Sequence, residues 1–119
     1  MALKSFEGMT NKIDFPDLIR RMINAAEKQL GAAWIDAKPY AEQEFKKLTF
    51  NIQFLAERKA RGELTVEQAR LYFEIYLSAT RIVLLTIEGL ALLAVENAIN
   101  AALEIARQVV NTALGWRLL

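Results

Sequence analysis

Ile82-Val-Leu-Leu-Thr-Ile-Glu-Gly-Leu-Ala-Leu-Leu-Ala-Val95 is a run of fourteen residues in which Glu88 is the sole charge. A helix that is apolar all round is normally buried all round, so this run needs cover on several sides. It is shorter than the roughly 20 apolar residues that span a bilayer, and Arg81, Glu96 and Asn97 bound it. A monomeric membrane span is therefore not expected. The unpaired carboxylate of Glu88 would be costly inside such a run, which marks it as a buried-charge candidate in need of a cation.

Outward from this run the pattern stays helical. No proline interrupts residues 66–114, Gly89 is the one weak spot, and Gly115 is the next plausible C-terminal cap. One helix of about fifty residues is expected. Its polar positions, Glu67, Arg70, Glu74, Ser78, Arg81, Glu88, Glu96, Asn100, Glu104, Arg107 and Asn111, advance by about 3.67 residues per turn, a single narrow stripe on a nearly straight helix. Ala94, Ala98, Ala102 and Ala106 recur every fourth residue beside Val95, Ile99, Leu103 and Val110. Such a row of small side chains lets another helix approach closely.

Before this helix lies Arg61-Gly-Glu-Leu-Thr-Val-Glu-Gln68. Gly62 ends a helix, and Thr65 with Gln68 forms a capping box, so the chain reverses over residues 62–65. Further upstream, Asp14-Phe-Pro-Asp17 carries a capping Asp, a first-turn Pro and a first-turn acid, which starts a helix near Phe15. Phe15, Leu18, Ile19, Met22, Ile23, Ala26, Leu30, Ala33 and Trp34 follow on one face at 100° per residue. Ala41, Phe45, Leu48, Ile52 and Leu55 then make a coiled-coil-like seam beyond Pro39. The stripe and the seam stay within roughly 40° of each other at 100° per residue. Residues 15–61 thus read as one helix kinked near Pro39. The competing reading is a true turn at Ala37-Lys38-Pro39 and a compact three-helix bundle.

The expected fold is all-α: a long antiparallel helical hairpin in a single domain, with an N-terminal arm over residues 1–14 and a tail over residues 115–119. Facing residue numbers should sum to about 127, because the reversal centres near Glu63-Leu64. This sets Glu88 near Lys38 in a hairpin roughly 70 Å long. One partner arm leaves much of the long helix bare, so assembly into an oligomeric helical bundle is expected. The candidate oligomer interface comprises Leu84, Ile87 and Leu92, the alanine row with its bulky neighbours, and Trp116 in a tail too apolar to be free. Phe50 and Phe54 join it as a contact patch, because they lie opposite the seam of their own helix.

Composition narrows the function. At 54% hydrophobic and 24% charged, the chain of 119 residues has a globular balance. A net charge of +1 offers no strong field to nucleic acid. With neither His nor Cys, the common nucleophile couples and transition-metal ligand sets are missing. Glu88, Glu96 and Glu104 share a face, but ferritin-like di-iron sites need a Glu-x-x-His pair that is not present. No catalytic residue, cofactor or metal is expected. Met1-Ala-Leu-Lys-Ser-Phe-Glu-Gly8 turns polar too soon for a secretory leader, so a cytoplasmic setting is expected. The expected function is that of a non-enzymatic structural or interaction protein, a scaffold, adaptor or component of a larger assembly, whose partner is itself or another helical protein. The alternative is an amphipathic protein that associates with a membrane or other hydrophobic surface.

Overall fold

Asp14 caps the first described helix. In the computed structural model, which describes residues 13–119, its carboxylate accepts from the Asp17 amide at 3.1 Å, and helix α1 (Phe15–Leu30) follows with Pro16 in its first turn. The remaining helices are α2 (Trp34–Ala60), α3 (Val66–Leu85) and α4 (Leu92–Leu114), with a 3-10 turn at Gly31–Ala33. No strand occurs among the described residues. Most of the arm expected over residues 1–14 lies outside them; Ile13 is buried against the core.

The chain turns at Gly31, where φ is 57°, and α2 runs on through Pro39. The expected kink or turn near Pro39 is thus displaced eight residues upstream. Two physical reasons favour the glycine. A positive φ costs Gly little. Pro39 sits early in α2, where the carbonyl it deprives of a donor belongs to exposed Ile35. Pro16, Arg20, Asn24 and Glu27 line one cleft with Lys46, Glu42, Lys38 and Trp34, so α1 lies antiparallel beside α2.

The reversal between α2 and α3 follows its sequence signals. The Glu63 amide donates to Arg58 O at 2.9 Å and the Gly62 amide to Lys59 O at 3.0 Å, a Schellman ending with Gly62 in the left-handed region. Thr65 Oγ1 then accepts from the Gln68 amide at 3.1 Å while Gln68 Oε1 accepts from the Thr65 amide at 2.9 Å. Along the α2–α3 pair, Asp36 and Tyr40 flank Thr86, Ile87 and Glu88 around one cleft. Phe54 flanks Tyr72 and Tyr76 around another. Over this half of the molecule α2 and α3 pack side by side.

The helix expected over residues 66–114 is two helices. α3 ends at Leu85 and α4 begins at Leu92. Thr86 Oγ1 donates back to Val83 O at 2.6 Å, and the amides of Thr86, Ile87 and Leu90 each bond three residues back. Gly89 then takes a φ of 88°. This tightening ends the helix. Arg81 and Glu96 meet across the break, and the Lys59 ammonium lies 5.4 Å from the Trp116 ring centroid. The far end of α4 therefore returns beside the end of α2.

Each helix thus runs antiparallel to the next, and α4 closes onto α1 in the most extensive contact of the bundle. The molecule measures 50 × 24 × 19 Å rather than the roughly 70 Å of the expected hairpin. A straight 66–114 helix would leave the stripe of α4 in water. Folding back at residues 86–91 buries it against the stripe of α1 within one chain, a gain of order 1.5–3 kcal/mol for each large apolar side chain covered.

Candidate functional site

The core accounts for most of the expected interface. Leu84, Val95, Ala98, Ile99, Ala102, Leu103, Ala106 and Val110 are all buried within the chain itself. Three of the row, Ala98, Ala102 and Ala106, are buried on α4, whose most extensive contact is with α1, where Ala26 is fully buried. Ile87, Ala94 and Trp116 are half-buried against the same core. The apolar tail docks: Leu118 and Leu119 are buried, and Asn111 Oδ1 accepts from both of their amides at 3.0 and 3.1 Å. This leaves Phe50, Phe54 and Leu92 of the candidate set exposed.

Glu88 is exposed, not buried. The break that ends α3 carries it into a solvent-facing loop, so the premise of a charge inside a continuous apolar helix falls away. The buried acid is Glu44, with 6% of its surface accessible and Lys47 Nζ 3.2 Å from Oε2. Sequence reasoning passed over it, although its spacing from Ala41 and Leu48 places it on the buried stripe. Arg81 Nε lies 2.5 Å from Glu96 Oε1, a charge contact in which the N–H does not point along the line between the atoms. Among the described residues no three acidic side chains converge into a metal-holding group, and no helix is long and apolar enough to cross a membrane.

What remains unabsorbed is the outside of α3. Its inner face is Ala69, Phe73, Leu77, Thr80 and Leu84, all buried. On the opposite side of the helix, one or two positions on from each of these, lies a second row: Leu71, Ile75, Ser78, Ile82 and Leu85. Leu71, Ile75 and Ile82 expose 66%, 61% and 63% of their surface. With Ser78 and Ala79, the three line one open surface depression. On the α2 side the surface continues through exposed Tyr72 to Phe54, over which the Arg58 guanidinium sits at 4.9 Å. Phe50, 69% exposed, lies one turn before Phe54. On the α4 side the row is flanked by Arg70, Glu74 and the Arg81–Glu96 pair. The spacing of Leu71, Ile75, Ser78, Ile82 and Leu85 alternates four and three, a signal present in the sequence. The polar stripe through Glu67, Arg70, Glu74 and Arg81 runs along one edge of this row and takes in its central Ser78, which conceals the apolar spacing.

The face presents large apolar side chains, one hydroxyl at its centre and opposite charges along one margin. In comparisons with known proteins, no family model, no curated protein and no solved structure matches this chain.

Proposed function

We propose that this protein is a non-enzymatic interaction module, a helical bundle that self-associates through the outer face of α3 and serves as a scaffold, adaptor or component of a larger assembly in the cytoplasm. The observation that carries this reading is the exposure of Leu71, Ile75 and Ile82 in one row on a folded bundle. Contiguous apolar patches rimmed by polar residues mark interaction sites, whereas single exposed apolar residues do not. The aromatic extension through Tyr72, Phe54 and Phe50 suits the same role, because aromatic residues are enriched in the centres of interfaces. The seat of assembly is thereby moved from α4, whose apolar stripe is satisfied internally, to α3.

Sedimentation velocity tests the reading. The wild-type chain is expected to sediment above one chain mass at micromolar concentration, and Ile75→Asp is expected to return it to the monomer without loss of helix by circular dichroism. A wild-type chain that stays monomeric throughout the micromolar range refutes self-association. Flotation of that monomer with vesicles would then favour the hydrophobic-surface alternative.

A further inference from the structure

The outer row of α3 reads nearly the same in both directions. Leu71 and Leu85 each stand seven residues from Ser78, with Ile75 three before it and Ile82 four after it. The sequence of side chains along the face is Leu, Ile, Ser, Ile, Leu whichever way it is traversed. A face of this kind complements an inverted copy of itself, which is the requirement of an isologous two-fold contact.

The charges on its margin agree. With the spacing of four and three treated as a coiled-coil seam, Glu74 and Arg81 occupy equivalent flanking positions one heptad apart. In an antiparallel pair whose facing residue numbers sum to about 155, Glu74 stands beside the partner's Arg81 and Arg81 beside the partner's Glu74. Each two-fold contact therefore carries two opposite-charge pairs. A parallel pair instead sets Glu74 and Arg81 beside uncharged Ala79 and Thr86 of the second copy. The intrachain contact to Glu96 does not exhaust Arg81. Its Nε lies against that carboxylate, the guanidinium carries further N–H donors, and the side chain is a third exposed. Small Ser78 at the centre lets the two helices come close.

We infer that a second copy of this chain covers the outer face of α3, the two α3 helices packing antiparallel about a two-fold axis beside Ser78. This inference rests on the self-association proposed above and specifies its geometry. Ile75 and Ile82 form the centre of the seam, Leu71 and Leu85 its ends, and Glu74 with the partner's Arg81 its orientation lock.

The chain contains no cysteine, so single cysteines placed on exposed positions report the arrangement directly. With a short bis-maleimide, Ser78→Cys is expected to link to itself in solution. Leu71→Cys and Leu85→Cys are each expected to link poorly alone but efficiently when mixed. Ile75→Asp is expected to weaken the dimer by about a hundredfold or more. Glu74→Arg, which places like charges beside each other twice, should weaken it by roughly three- to tenfold, and added salt should narrow that difference. Self-linking of Leu71→Cys as readily as Ser78→Cys would mean a parallel seam and overturn the inference while leaving self-association standing. A dimer that persists in Ile75→Asp and does not link through Ser78→Cys would place assembly on another face, again overturning the inference alone. A wild-type chain that is monomeric by sedimentation overturns both.

Discussion

α3 and α4 come from one uninterrupted helical pattern and end in opposite circumstances. α4 carries a single apolar stripe and buries it against α1. α3 carries two, one buried against the rest of the bundle and one facing solvent. The difference lies in partners rather than hydrophobicity. A helix at the edge of a four-helix bundle has neighbours on only one side of its circumference, so a second apolar face on it has nothing in its own chain to meet. The lesson is that apolar content alone does not tell which stripe stays exposed; intrachain packing does.

The comparison breaks first at the buried stripe. Ile99→Ala removes a side chain with no accessible surface and should destabilise the fold by about 2–5 kcal/mol in urea titration. Ile75→Ala on the bare face should stay within about 0.5 kcal/mol of wild type when both are measured under monomeric conditions. Similar losses for the two would mean that α3 is as covered as α4.

Overpacking comes next. Ala102→Leu on α4 should cost ~1–3 kcal/mol of fold stability, whereas Ala60→Leu at the exposed end of α2 should cost little. The loss belongs to folding of the single chain and should not depend on protein concentration. A concentration-dependent melting shift for Ala102→Leu would return the alanine row to an intersubunit contact.

Gly89→Ala sharpens the comparison through its sign. Were residues 66–114 one helix, the substitution would stabilise it by ~1 kcal/mol through helix propensity. In the folded-back bundle Gly89 has a φ of 88° with no atom within 4 Å of an added Cβ, so the cost is purely that of the backbone, about 1–2 kcal/mol. Thermal denaturation of the variant reads the sign directly.

The smallest effect falls on the tie between the two helices. Arg81 and Glu96 are each about a third exposed, so Glu96→Gln should lower stability by less than about 1 kcal/mol, and the loss should shrink as salt is raised. A salt-independent loss of several kcal/mol would show that this pair, rather than burial, holds α4 against the bundle.

Much of the local structure was legible because it is governed by groups close together in the chain. Asp14 caps the helix that its position announces, Gly62 and the Thr65–Gln68 box make the reversal that their chemistry requires, and Trp116 to Leu119 are apolar enough that docking of the tail was foreseeable. The two other reversals carried weak and misleading signals. Pro39 is the stronger breaker by propensity, yet Gly31 turns the chain. At Gly89 no capping side chain announces the start of α4, since Ala91 offers none.

By itself the sequence determined that the chain is helical, where its capped ends lie and which stripes must leave water. Only the tertiary structure decided what covers them. A periodic apolar stripe specifies burial but not the identity of the surface that buries it, and a second copy, a membrane or another helix of the same chain satisfy it equally. Folding back within the chain closes the core without the translational entropy that a second molecule must lose on binding. It left the outer face of α3 as the one long apolar row among the described residues with no intrachain partner.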